Sequence, residues 1–173
     1  DEYRTSWKSD TTRAPLGVVE NLGVHFIDLS VSLLGGIQSV YSNLRTTIDG
    51  EDAIDTAAMM LTHKTGNTST IFVSYATAYF SDMYFCFEKG DVHYNGVNID
   101  VYSPRETFNS AGLAERPPLV LSKQLSATRL YEDSLRECVS NFINVVQAGG
   151  EFPPELVERS KEVVSAMLLT SKT

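Results

Sequence analysis

The chain has 173 residues, 42% of them apolar, and a net charge of −8, which is enough for one domain with a real core. Lys and Arg number 14 against 22 Asp and Glu, with no basic cluster, and this argues against a surface that tracks nucleic-acid phosphates. No apolar run reaches the ~18 residues of a membrane helix, no signal peptide opens the chain, and Cys86 and Cys138 lie in unlike segments that suggest no disulfide framework. A reduced, cytoplasmic protein is the expectation.

The chain opens on Asp1 in a strand-like stretch, residues 2–7, and this start reads as a piece of a longer protein. A polar loop follows over 8–14. Pro15 suits a helix start, and the apolar run 16–34 ends at Gly35-Gly36, so a helix is predicted there. "IQSVYSNLRTTI" (37–48) reads as a strand. Residues 55–64 and 68–77 read as a hairpin, with Gly66 supplying a positive φ at the turn. Residues 82–90 and 91–103 add two or three short strands with Gly90 and Gly96 at turns, and 104–118 reads as loop. In the stretch 130–150 the positions Tyr131, Leu135, Val139, Phe142 and Val146 follow helical spacing. Pro153-Pro154 open a last helix.

Consecutive strands joined by short turns predict an α+β domain with an open, mostly antiparallel sheet and helices packed on one face. Strands such as "MYFCF" are apolar on both sides. Their second face is either covered by a partner subunit or simply aromatic and partly wet. Tyr75, Tyr79 and Tyr84 read as sheet-face residues in core or interface packing. His63 and His93 read as strand-surface residues.

The first helix carries the sharpest signal. On a wheel of about 100° per residue with His25 at zero, Ser32 falls at about −20°, Asn21 at about −40° and Asp28 at about −60°. The rest of the helix is mostly apolar and holds no Lys or Arg, so its polar stripe is narrow. Such a stripe is either a hydrogen-bonded buried network or the wall of an active site. His is the natural general base near neutral pH. Asn21 can donate to an oxygen or accept from a hydroxyl. Asp28 can orient the imidazole or make a structural bond. Arg13, in the loop before the helix, is either an anion contact or a solvated charge.

The sequence holds no G-x-G-x-x-G, G-x-x-x-x-G-K-[ST], C-x-x-C, H-E-x-x-H or G-x-S-x-G pattern. Neither a nucleotide-phosphate cradle nor a metal site is expected within it.

"GVVENLGVHFIDLSVSLLGG" resembles the segment that opens the C-terminal domain of the Gfo/Idh/MocA oxidoreductases. Gly23, His25 and Asp28 match the family's G-x-H-x-x-D. Asp55-Thr56-Ala57 is similar to its D-[DT]-A strand start, and "FEKGDVHYNG" to its "G-x-x-G-x-[LI]" strand pair. A helix in the pattern Tyr131…Phe142…Gly150 comes last. The resemblance implies that residues 1–173 are a single C-terminal domain for substrate binding and oligomerisation. It also implies that a Rossmann domain binding NAD or NADP lies outside this chain. The substrate would be a sugar, polyol or nucleotide sugar oxidised at a secondary hydroxyl. His25 and Asn21 would be the catalytic pair, Asp28 and Arg13 would bind or orient substrate, and the open sheet face would join copies into a homo-oligomer. The chain alone would be inactive. The family's E-K-P lysine has no counterpart here, because Glu88-Lys89-Gly90 sits at a predicted strand turn. Asn21 replaces the more usual Asp, and Leu16-Gly17 replaces Gly-Gly. The Asn replacement keeps a second reading open: a non-catalytic sugar-binding, regulatory or oligomerisation module of the same fold.

Overall fold

The computed structural model describes residues 6–103 and 108–170. A 3-10 turn, Trp7–Ser9, comes first. The strand expected over 2–7 lies outside the described residues as far as residue 5, and Ser6 and Trp7 belong to this turn and its cap. A π-helical turn, Val19–Gly23, then leads into α1, Val24–Leu34. Three strands follow: β1 (Ile37–Arg45), β2 (Thr56–His63) and β3 (Thr68–Ser74). Next come β4 (Met83–Phe87), β5 (Gly90–Tyr94), β6 (Asn98–Tyr102) and β7 (Leu119–Gln124). The helices α2 (Ala127–Gln147) and α3 (Pro154–Thr170) close the order. The strands form two antiparallel sheets, β1-β2-β3 and β4-β5-β6-β7, so the α+β, open antiparallel class is as expected, with the strands divided between two sheets. The chain separates into two compact units, one of residues 1–78 with 152–173 and one of residues 79–151.

The first unit is built on the two periodicities of strand and helix. Along β2, Ala57, Met59, Leu61 and His63 are buried, while Ala58 and Met60 face out. In β3, Ile71 and Val73 are buried and Phe72 is exposed. This alternation sends one face of the sheet inward. Against it pack α1, through Ile27 and Val31, and α3, through Val163 and Ala166. The opposite face carries exposed Tyr41, Met60 and Phe72, with Tyr41 paired to Met60 and Ala58 to Phe72 in register. Gly35, at φ 86°, ends α1 with its N–H on the Val31 carbonyl. Gly66, at φ 85°, makes the β2–β3 turn, where the His63 N–H reaches the Asn67 carbonyl at 2.8 Å. The Ser42 hydroxyl ties β1 to the end of α3 by donating to the Thr170 carbonyl at 2.8 Å.

The second unit is a four-stranded meander with α2. Gly90 sits at φ 142° where an added Cβ would come within 2.2 Å of the Tyr102 carbonyl oxygen, so glycine is obligatory at that strand start. Strand β7 goes beyond the elements read from the sequence. "LVLSKQ" has no clear period of two, and it is a strand because it pairs along β6, with Leu121 opposite Val101 and Lys123 opposite Ile99. Ser126 caps α2 by accepting from the Arg129 N–H at 3.3 Å. The helical spacing read from the sequence is realised, and Tyr131, Leu135, Val139, Phe142 and Val146 are all exposed. Among the described residues of this unit only Tyr102 is buried, with the Arg116 guanidinium stacked 3.9 Å from its ring centre. In "MYFCF", Met83 and Phe85 are half-buried and Tyr84, Cys86 and Phe87 are exposed.

Candidate active site

The entry to α1 fixes the site. The Asp10 carboxylate accepts from the Thr12 N–H and hydroxyl at 2.9 and 2.6 Å, and these bonds hold its pKa below the ordinary value of 3.8. Gly17 then turns the chain at φ 51° and lies so close to the next segment that a Cβ would sit 2.1 Å from the Ile54 carbonyl oxygen. Only glycine fits there. The same carbonyl accepts the Val18 N–H at 2.9 Å, and Glu20 reaches back to accept the Leu16 N–H at 3.2 Å. Val18 and Val19 are fully buried by this docking.

The next turn is wider than an α turn. The Val24 N–H bonds to the Val19 carbonyl, five residues back. A π turn of this kind changes the phase of the residues before it relative to those after it. The straight wheel that set Asn21 beside His25 therefore does not carry across the turn. Gly23 packs closely against the sheet: a Cβ there would lie 3.3 Å from Met59 Cε and from Val19 Cγ1. The glycine of the G-x-H-x-x-D pattern thus has a packing reason.

Asn21 is half-buried and His25 is exposed. The Asn21 Oδ1 accepts a 2.5 Å hydrogen bond from the hydroxyl of Tyr75, just beyond β3. Tyr75 is held in turn by its N–H on the Asp55 carbonyl at 2.8 Å, and the Lys8 ammonium lies 5.9 Å from its ring centre, at the outer range of a cation–π contact. Asp28 pairs across to α3, with Oδ1 3.0 Å from Arg159 Nε. Beside that pair Ser32 lines an open cleft of about 360 Å³ with Lys64, Arg159 and Glu162. The Arg13 side chain is 72% exposed and lies 3.4 Å from Asp10. The structure therefore joins Asn21 to Tyr75, leaves His25 open to solvent and engages Asp28 with α3.

Two residues outside the polar stripe have unexpected roles. His63 is fully buried, contrary to the strand-surface expectation. Its Nδ1 lies 2.7 Å from the Gly35 carbonyl and its Nε2 3.1 Å from the Ser69 hydroxyl, so a buried imidazole ties the end of α1 to the hairpin. Both ring nitrogens are satisfied, which is what makes burial tolerable. His93 is partly exposed and pairs with Asp82 at 2.9 Å. Asp55 is fully buried as a carboxylate. Burial pushes its pKa up. Bonds from the Thr47 hydroxyl and N–H and the Ile48 N–H, each at 2.7 Å, and from the Thr56 hydroxyl at 2.8 Å outweigh that and hold it below 3.8. Asp55 thus pins β2 to the chain that follows β1, beside the segment on which Gly17 docks. Of the three tyrosines read as sheet packing, Tyr79 is 95% exposed, Tyr84 is 48% exposed with its hydroxyl 3.5 Å from the Arg116 guanidinium, and Tyr75 bonds to Asn21. Nothing local ties position 75 to position 21.

Residues 1–93 match the model of the GFO/IDH/MocA C-terminal domain. That match covers more than half of the chain. The chain belongs to the Gfo/Idh/MocA C-terminal domain family. Its fold is shared by solved oxidoreductases. A protein of Desulfitobacterium hafniense assigned as an NADPH-dependent oxidoreductase is 19% identical, with a TM-score of 0.74 over 97% of this chain and 48% of its own. An oxidoreductase of Agrobacterium radiobacter, solved with NAD+, L-tartaric acid and magnesium, is 18% identical, with a TM-score of 0.63 over 93% of this chain and 51% of its own. UDP-N-acetylglucosamine 3-dehydrogenase of Acidithiobacillus ferrooxidans is 18% identical, with a TM-score of 0.65 over 90% of this chain and 48% of its own. The chain thus spans about half the length of these proteins. A search of curated protein sequences gave no significant match. Among the described residues, no helix is long and apolar enough to cross a membrane, and no three His, Cys, Asp or Glu side chains converge as a metal site would require.

Proposed function

We propose that this chain is the substrate-side domain of an NAD(P)-dependent cytoplasmic oxidoreductase that acts on a secondary hydroxyl of a sugar, polyol or nucleotide sugar. The observation that carries the reading is the exposed His25 on a G-x-H-x-x-D helix whose preceding turn holds Asn21 in a hydrogen bond. UDP-N-acetylglucosamine, named with a structure of the same fold, supports the nucleotide-sugar member of this class. His25 takes the hydroxyl proton and Asn21 holds the oxygen. A nicotinamide, when bound, supplies the hydride chemistry.

The residues of this chain do not themselves fit a dinucleotide. They offer no glycine-rich phosphate turn, and the helix start that could face an anion is closed by buried Val18 and Val19. Cofactor contacts are therefore assigned to a Rossmann domain of the full-length protein. Asp28 serves as the bond to α3 through Arg159, and Arg13 as a solvated charge beside Asp10. The apolar patch of Tyr41, Met60 and Phe72 is the surface through which copies would associate. A titration of NAD(H) and NADP(H) followed by nicotinamide fluorescence tests this division: the full-length protein binds and residues 1–173 alone do not. Binding by the isolated chain would refute the division.

A second reading is favoured by one observation. Asn21 stands where a carboxylate would take a proton, and its oxygen already accepts from Tyr75. A non-catalytic sugar-binding or regulatory module would show sugar binding without turnover in the full-length protein.

A further inference from the structure

The amide of Asn21 has a direction, and Tyr75 sets it. An asparagine side chain offers a carbonyl oxygen with two acceptor sites and an NH2 with two donors, and it is ambiguous toward a hydroxyl unless something fixes which end faces it. Here the Tyr75 hydroxyl donates to Oδ1 at 2.5 Å. The ring that carries this hydroxyl is fixed at three points. It is half-buried, its backbone N–H is bonded to Asp55, and Lys8 lies over its face. The Asp55 anchor is itself held through its carboxylate by four hydrogen bonds, three from Thr47 and Ile48 and one from the neighbouring Thr56. A rigid donor bonded to Oδ1 turns the Nδ2 hydrogens of Asn21 the other way, and the π turn Val19–Gly23 carries that amide on a backbone already docked to Ile54.

We propose that Tyr75 is the positioning residue of this site, orienting the Asn21 amide so that its NH2 faces a substrate oxygen as a hydrogen-bond donor. The inference rests on the functional reading above. It divides the labour there: Asn21 stabilises negative charge on the oxygen and takes no proton, and His25 is left as the proton acceptor. A site of this kind favours an oxygen that gains charge in the reaction, as the alkoxide-like oxygen of an alcohol under oxidation does. It disfavours a neighbouring hydroxyl that can only donate.

The test uses the full-length protein with Tyr75→Phe, Asn21→Ala and the double variant. Its probes are NAD+ and a panel of UDP-N-acetylglucosamine, L-tartrate and simple polyols. For whichever alcohol the wild type oxidises, Tyr75→Phe lowers kcat on the order of tenfold, a difference of about one factor of ten per 1.4 kcal/mol. Cofactor affinity and the pH limb of kcat/KM stay unchanged. In the Asn21→Ala background the same substitution has no further effect, because a residue that acts through another is silent once the other is gone. Additive losses, or a Tyr75→Phe enzyme as fast as the wild type, overturn the proposal. A second arm needs no turnover. The side-chain amide resonances of 15N-labelled Asn21, identified by their loss in Asn21→Ala, shift or broaden in Tyr75→Phe while distant amides do not. If those resonances are unmoved, the positioning bond is absent and the proposal fails. If they move but the wild type oxidises nothing in the panel, the positioning bond stands and the catalytic reading fails instead.

Discussion

Replacing Asp55 with alanine removes one carboxylate and strands the groups that fold onto it. The Thr47 and Ile48 N–H groups each donate to it at 2.7 Å. The Thr56 hydroxyl has a second partner 2.8 Å away in Ser74, and the Thr47 hydroxyl is free to turn, so neither hydroxyl is counted. A hydrogen bond to a charged group contributes about 1.5–3 kcal/mol, and two of them place Asp55→Ala at about 3–6 kcal/mol, a large fraction of the roughly 5–15 kcal/mol of ordinary stability. Asp55→Asn keeps one oxygen and should cost about half as much. The sign of the pH effect follows from the lowered folded-state pKa. The carboxylate's contribution is fully present above the unfolded value of about 3.9 and is lost as pH falls through the folded value. The gap between wild type and Asp55→Asn therefore closes below about pH 4. Urea unfolding followed by Trp7 fluorescence and far-ultraviolet circular dichroism at pH 7, 5 and 3 measures it. A cost of Asp55→Ala under about 1 kcal/mol, or a gap to Asp55→Asn that is unchanged at pH 3, would refute the reasoning.

Other substitutions separate scaffold from site. Gly17→Ala forces a Cβ to within 2.1 Å of the Ile54 carbonyl oxygen at φ 51° and should cost about 2 kcal/mol or more in the same urea assay. His63→Ala empties a fully buried position and frees both the Gly35 carbonyl and the Ser69 hydroxyl. A loss of about 2–4 kcal/mol is expected, with the pH profile of activity untouched. Asp28→Asn breaks a pair whose side chains are 37% and 44% exposed, so its cost is below about 1 kcal/mol and kcat in the full-length protein is expected to change little. Tyr41→Glu with Met60→Glu places charge on the exposed sheet face and should turn an oligomer into monomer by sedimentation.

Much of this architecture is legible in the sequence because it rests on local period. The alternation of Ala57, Met59 and Leu61 marks β2, Gly66 marks its turn, and the spacing of Tyr131 to Val146 marks α2. What escapes is non-local. Strand β7 exists through its pairing with β6, His63 is buried by a helix end 28 residues away and a serine on the next strand, and Tyr75 meets Asn21 across 54 residues. The π turn escapes for another reason. It arises where Val18 and Gly17 dock on Ile54, and a wheel drawn at a constant step has no place for such docking. At the site, the motif residues Gly23, His25 and Asp28 are readable from spacing. Their partners are not: Asp28 takes one from α3, and the neighbouring Asn21 one from just beyond β3.

The central claim is that His25 takes the substrate proton in an enzyme whose cofactor is bound elsewhere. The most direct measurement compares wild type and His25→Asn full-length protein, reading nicotinamide reduction against the alcohol panel beside cofactor affinity. The account predicts a fall in kcat on the order of 10²–10⁴ with cofactor affinity unchanged. Turnover by His25→Asn at the wild-type rate would contradict it.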